Sequence, residues 1–420
     1  MCRRSSDKPS ETMLRSYDPE RDYAAVLRIW QEAGWVPPGK EEATAFMLSC
    51  GRPMVAELEG QAECFVQTVP GTLRYLEEEL PFSGAAAVAT SRVARRRGLA
   101  GRLTALAVAL DAAEGALVSG LGVFEQGFYD RLGFGTGPYE HFASFDPAHL
   151  RISARARIPR RLTPDDWALV HASRQARRRG HGAINLHPPE ITRMEMAHHE
   201  NGFGLGYCDG PHGELTHHLW FSVRDVEHGP YFVPWMTFQN AAQFQELMAL
   251  LRDLSDQVRL VRLREPPGLQ FQDLLLCPFR ARQATRGSKL ENWMRAAAPY
   301  QVRLCDLEGC LARTHLPAGQ VRFNLHLSDP IAAYLDETAP WHGLSGEYVV
   351  TLGVESGARL GTDPSLPTLR ASVGAFTRLW LGVQPAGGLS CTDDLAGPPE
   401  LLARLDELLR LPPPLPDWDF

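Results

Sequence analysis

The residues best placed by type and spacing to do chemistry are Arg95, Arg96, Gly98 and Ala100, within the string Arg-Arg-Arg-Gly-Leu-Ala at 95–100. A helix that starts there offers unpaired N–H groups and the positive end of its dipole, glycine lets the backbone come close, and the arginines add full charges. The chemistry is the binding of an anion such as a pyrophosphate. A second string, Arg-Arg-Arg-Gly-His-Gly at 177–182, has the same spacing, but it follows a helical pattern and runs into Ala-Ile-Asn-Leu-His-Pro-Pro. No helix is expected to start promptly there, so this string reads as a solvated basic loop.

The elements around the first string decide what it can reach. Residues 85–90 form an apolar run, 99–113 carry apolar residues at 99, 103, 106, 107 and 110, and 116–123 form a second run. Strand, helix and strand make a βαβ unit, whose parallel strands put their carboxyl ends on one side, where open sheets bind ligands. Tyr129 sits in a short helix just past the second strand and faces the same sheet edge. Upstream, Asp18 before Pro19 starts a helix through residue 33, and strands at 53–58, 61–69 and 72–75 are separated by turns at 59–60 and 70–71. Downstream, a basic, proline-marked boundary at 157–161 precedes helices at 164–179 and 240–254 and strands at 204–208, 214–223, 231–237 and 258–263. After a linker at 295–299 come helices at 304–313, 367–381 and 398–411 and strands at 321–327 and 347–354.

Composition narrows the function. A chain of 420 residues implies two or three cores. Its 43 basic against 50 acidic residues, net −7, give no global positive field to hold nucleic acid or an anionic membrane, and suit a cationic substrate. The greasiest stretch, 99–124, is interrupted by Arg102 and Asp111, so no transmembrane helix is expected, and residues 1–13 read as a polar tail without an apolar signal core. The expected address is the cytoplasm. Eight cysteines without a Cys-x-x-Cys pair read as reduced thiols, and His198-His199-Glu200 with Glu195 lacks the zinc-protease spacing, so no metal is expected. The nucleophile elbow and the Walker A string are missing, which sets aside hydrolase and kinase chemistry.

The 95–100 string after a sheet strand resembles the acetyl-CoA loop of the GCN5-related N-acetyltransferases (GNATs). Together with Glu125-Gln-Gly-Phe-Tyr-Asp-Arg-Leu-Gly-Phe-Gly135 and the ending Trp418-Asp419-Phe420, the chain is similar to the Eis-type (enhanced intracellular survival) acetyltransferases over 14–420. The resemblance implies an α/β (α+β) fold: a catalytic GNAT domain at 14–158, a second GNAT-like domain without an active site at 159–298, both with central mixed sheets, and a sterol-carrier-protein-like α+β domain at 299–420. It implies acetyl-CoA as co-substrate, with Val88, Ala89 and Thr90 along the pantetheine, Arg95, Arg96, Gly98, Leu99 and Ala100 at the pyrophosphate, and Glu125 at the acyl end. Tyr129 is implied as general acid and the carboxylate of Phe420 as base. A hexamer is implied as well. The alternative is a catalytically inactive CoA- or lipid-binding protein.

An alkylamine of pKa about 10.4 is nucleophilic in only about one molecule in 2,500 at pH 7, a handicap of roughly 4.6 kcal/mol, so a base or a desolvating acidic pocket is required. The departing thiolate resembles a thiol of pKa about 8.5, and a phenol at about 10 is close enough to protonate it. The acceptor is therefore expected to be a primary amine, on an aminoglycoside-like polyamine or a lysine side chain. Trp30, Trp35, Phe46 and Phe82 are expected in its pocket, and Asp419 adds negative charge there.

Overall fold

Asp18 caps the first helix: its carboxylate accepts from the Glu20 N–H at 3.0 Å, Pro19 is the first helical residue, and Gly34 closes the helix at φ 80°. The computed structural model describes residues 12–36, 39, 41–123, 125–278 and 286–419. In chain order the first segment gives β1 (Thr12–Ser16), α1 (Pro19–Ala33), α2 (Glu41–Leu48), β2 (Arg52–Leu58), β3 (Gln61–Tyr75), β4 (Glu78–Thr90), α3 (Leu99–Ala113), β5 (Val118–Gly122), β6 (Gly135–Thr136) and β7 (Glu140–Phe145). The middle gives β8 (Arg160–Leu162), α4 (Trp167–Gln175), β9 (Ile184–Leu186), α5 (Pro189–His198), β10 (Phe203–Tyr207), β11 (His217–Val223), β12 (Tyr231–Thr237), α6 (Ala241–Asp253), β13 (Val261–Arg264) and β14 (Trp293–Ala297). The last gives β15 (Tyr300–Leu304), α7 (Leu307–Ala312), β16 (Gln320–Ser328), β17 (Gly346–Gly353), β18 (Gly357–Leu360), β19 (Thr368–Ser372), α8 (Val373–Trp380), α9 (Ala386–Thr392), β20 (Leu395–Ala396) and α10 (Pro399–Leu408).

These strands form two large mixed sheets and a smaller third, the mixed α/β class expected. The first sheet runs β1-β2-β3-β4-β5-β15-β6 with β9 added beside β3, the second β14-β7-β13-β12-β11-β10-β8, and the third β18-β17-β16-β19-β20. Strand exchange crosses the divisions expected at 158 and 298. Strand β7 pairs with β13 and β14 in the second sheet, while β15 enters the first between β5 and β6. Each exchanged strand covers an edge whose N–H and C=O groups would otherwise lack a ladder partner.

One apolar core joins the first sheet to the last segment. Tyr75 of β3 stacks on Trp380 of α8 at 4.4 Å, and the Tyr75 hydroxyl donates to the Trp380 carbonyl at 3.0 Å. Arg303 of β15 and Asp329 form an ion pair with no exposure at all, 2.6 Å apart.

Four local expectations are corrected. Pro70-Gly71 is not a turn: β3 passes through it, because Gly71 lets β9 lie so close that a Cβ would meet the Asn185 carbonyl oxygen at 2.3 Å, and His187 N–H donates to the Pro70 carbonyl. The expected linker at 295–299 is largely β14, paired to β7. The 177–182 string is followed by strand β9 and not by a helix, as expected, but it is not a solvated loop: the Arg177 side chain is 4% exposed and paired with Asp417. Residues 368–372 of an expected helix are strand β19, and helix begins only at Val373, where Ser372 accepts from the Ala375 N–H.

Candidate active site

Strands β4 and β5 run parallel from the pair Phe82–Val118 to Ala85–Leu121, and there the ladder ends. Strand β4 continues against β3 to Thr90 through a bulge in which Ala87 takes φ 53°. Its main chain on the β5 side is therefore left without a strand partner over 86–90. The alanine run explains the bend, since small side chains tolerate a bulge that a β-branched strand would resist. A cavity of about 330 Å³ opens at this fork.

At the far end of β4 the chain turns through Ser91 into the basic loop. Arg96 and Gly98 both adopt left-handed backbone, at φ 63° and 75°, and α3 begins at Leu99. No atom lies within 4 Å of where a Gly98 Cβ would sit, so glycine is there for its backbone angle. Leu99 is buried under the sheet and Ala100 half-buried, while Arg95, Arg96 and Arg97 are exposed and make no ion pair among the described residues. A helix start with free N–H groups, beside three unmatched guanidiniums, has the donor set an extended diphosphate requires.

Tyr129 opens the turn Tyr129–Leu132 and is 3% exposed, with its ring edge-on to Phe128 and Phe134. Burial, with a smaller contribution from Cys64, pushes its phenol up to about 12, so the hydroxyl carries its proton at neutral pH. Gly133 ends the turn at φ 78°, where a Cβ would meet Val373 at 2.5 Å and Arg303 at 2.9 Å, and the Arg303 guanidinium donates to the Leu132 carbonyl.

The cavity gathers Trp35, Val88, Tyr129 and Asp419 from among the expected residues, and adds Glu140 and Arg264. Ala89 is buried and Thr90 half-buried, its hydroxyl donating to Cys64 Sγ at 3.3 Å. Trp30 packs edge-on to Phe65 in the core, Phe82 is 2% exposed beneath Gly120, and Phe46 lies under the Arg193 guanidinium at 3.8 Å; none of the three lines the cavity. Glu125 is exposed and outside the wall. Phe420 lies outside the described residues.

Glu140 and Arg264 went unread in the sequence. Glu140, 1% exposed, is paired with Arg264 at 3.2 Å, and Arg264 also holds Asp419 at 2.8 Å. Burial raises the Glu140 pKa and the Arg264 charge opposes it; burial works against the Arg264 charge, but the Asp419 and Glu140 carboxylates more than offset that. The available signal was the carboxylate opening the stretch 140–145, Glu-His-Phe-Ala-Ser-Phe, which needs a charged partner once it is buried. Elsewhere Asp209, His217 and Glu246 bring ligand-type atoms within 4.8 Å of one another, and the Arg157 guanidinium donates to both carboxylates.

Residues 15–137 match the acetyltransferase (GNAT) domain. No curated protein matches the chain. Among solved structures it is similar to a probable N-acyltransferase of unknown function from Enterococcus faecalis, with TM-score 0.77 and 15% identity over 98% of this chain and 100% of that one. A GCN5-related N-acetyltransferase from Kribbella flavida gives 0.74 and 18% over 98% and 99%. Eis1 from Mycobacterium abscessus gives 0.73 and 15% over 98% and 100%. No helix among the described residues is long and apolar enough to cross a membrane. The chain is thus an enzyme that carries a GNAT acetyltransferase domain at 15–137, set in the mixed α/β fold that it shares with these solved structures.

Proposed function

We propose that this enzyme transfers the acetyl group of acetyl-CoA directly to a primary amine, carried by an aminoglycoside-like polyamine or by a lysine side chain. The observation that carries the reading is the fork cavity, where the unpaired edge of β4, the Tyr129 phenol and the Glu140–Arg264–Asp419 group share one wall. The start of α3 with Arg95 and Arg96 takes the pyrophosphate, and the β4 edge takes the amides of the pantetheine arm. The amine nitrogen attacks the thioester carbon, the C–N bond forms, and the C–S bond breaks as the sulfur takes the Tyr129 proton. The carboxylate of Phe420 accepts the proton that the nucleophile sheds. Burial disfavours thiolate and phenolate alike, so transfer from phenol to sulfur keeps its ordinary cost of about 1.5 pKa units, roughly 2 kcal/mol. Two carboxylates against one guanidinium give the wall an acidic bias that favours a cationic acceptor.

Release of free CoA thiol on mixing with acetyl-CoA and an amine panel tests the activity. Tyr129→Phe is expected to lower turnover by about 100-fold or more with acetyl-CoA affinity retained. Unchanged turnover removes the acid role, and tight acetyl-CoA binding without thiol release from any amine selects a binding protein instead. Residues appended after Phe420 are expected to suppress turnover and spare acetyl-CoA binding. The resemblance also leads us to propose a hexamer, which sedimentation equilibrium reads directly.

A further inference from the structure

The second sheet repeats the fork of the first. Strands β12 and β13 run parallel from Tyr231–Val261 to Val233–Leu263; β12 then continues to Thr237 while β13 ends at Arg264. The space beyond is a second cavity of about 330 Å³, and its wall includes Trp235, Leu263, Pro413, Leu415 and Asp417. Residues 412–419 are laid along this fork, and their backbone turns left-handed at Asp417, φ 50°. Residues 412, 413, 415 and 417 line the second cavity, and 416, 418 and 419 the first.

The 177–182 string, which sequence alone leaves as a loop, holds that segment. Leu415 N–H donates to the His181 carbonyl at 3.0 Å, and Ile184 N–H to the Pro416 carbonyl at 2.8 Å. Gly182 admits the chain so closely that a Cβ would meet Pro414 at 2.5 Å. Arg177 Nε donates to the Asp417 carboxylate at 2.7 Å and Nη2 to the Asp417 carbonyl at 3.0 Å. Arg174 stacks over the Trp418 ring at 3.8 Å, and Trp418 is 2% exposed. The Arg177 side chain is 4% exposed and Asp417 is its carboxylate partner, so lifting the segment would leave a buried guanidinium unpaired, which is costly.

We propose that this second fork, the counterpart of the thioester-binding one, is a dock for residues 412–419, and that Arg177 and Arg264 are positioning residues that hold the segment against the Tyr129 cavity. The proposal rests on the reading that the segment serves acetyl transfer. Arg264 completes the hold on the cavity side by pairing with Asp419, while Glu140 fixes the guanidinium from β7.

The test uses the full chain, with four comparisons: Arg264→Met, Arg264→Lys, Asp417→Asn, and a chain ended after Asp417. Turnover, amine KM, acetyl-CoA affinity by calorimetry and the circular dichroism spectrum are measured for each. Arg264→Met and Asp417→Asn are expected to lower kcat about 10- to 100-fold, with acetyl-CoA affinity within about twofold and the spectrum unchanged. Arg264→Lys, or millimolar guanidinium ion added to Arg264→Met, restores most of the loss, which a merely structural role would not do. Should Arg264→Met fail to fold, Asp417→Asn and Arg264→Lys carry the test. Loss of kcat in the shortened chain with full kcat in Arg264→Met and Asp417→Asn overturns the dock's role and leaves the acetyl-transfer reading standing. Full kcat in the shortened chain overturns the assignment of a base in this segment, and the dock's role with it.

Discussion

Arg95 and Arg96 hold their charge in the open beside the start of α3, with no carboxylate to satisfy them among the described residues. Replacing either by alanine is expected to weaken acetyl-CoA binding about 5- to 10-fold and to flatten its salt dependence, with kcat held; calorimetry at two ionic strengths checks it. Gly133 is the opposite kind of residue, needed for both angle and space. Gly133→Ala sets a side chain at φ 78° and within 2.5 Å of Val373, so it should cost about 2 kcal/mol or more, read from urea unfolding, and loosen the turn that carries Tyr129. At this scale the sequence shows the residues whose neighbours are local: Gly98 and its arginines stand in one string, and Tyr129 one strand later. Glu140, Arg264 and Asp419 are 124 or more residues from one partner or another, and no local pattern predicts that they meet. The aromatic residues are ambiguous for a different reason, because Trp30 and Phe82 have the same composition signal whether they face a core or a ligand.

Strand β15 is the element on which the first sheet depends. All five of its residues are buried, it joins β5 to β6, and its Arg303 reaches both Asp329 and the Leu132 carbonyl beside Tyr129. A chain cut after residue 298 is therefore expected to be insoluble or unfolded by circular dichroism and gel filtration, even though it keeps the whole of the matched segment 15–137. Soluble, active protein from such a cut would show that the sheet closes without β15. Helix α3 was legible because its apolar spacing is periodic within the helix itself, and the observed bounds agree with it. The place of β15 was not, since strand pairing between distant segments is set by sheet edges and shared cores rather than by any property of the strand alone.

Across the molecule, the seams between segments are closed by buried neutral histidines. His181 accepts from the Leu76 N–H and donates to the Leu381 carbonyl, so one ring ties three segments together, and burial lowers its pKa to about 4. Burial likewise lowers His171, edge-on to Trp418, to about 4, and His218 to about 3. Below about 6.5 the unfolded chain binds protons that the folded chain refuses, so stability falls with pH through the window from about 6.5 down to about 4. The urea midpoint at pH 5 is expected to lie below that at pH 7, with on the order of 1 kcal/mol or more of the loss from His218 alone; equal midpoints would show these rings charged or exposed in the folded state. The burial of β15 in the first sheet also sets a clock on biosynthesis. Translation proceeds from the amino end, and the sheet that carries the phenol cannot close until the codons for residues 300–304 have been read and that stretch has cleared the ribosomal tunnel. A nascent chain shorter than this lacks the strand that joins β5 to β6, so the sheet around Tyr129 is completed late in synthesis rather than in stages.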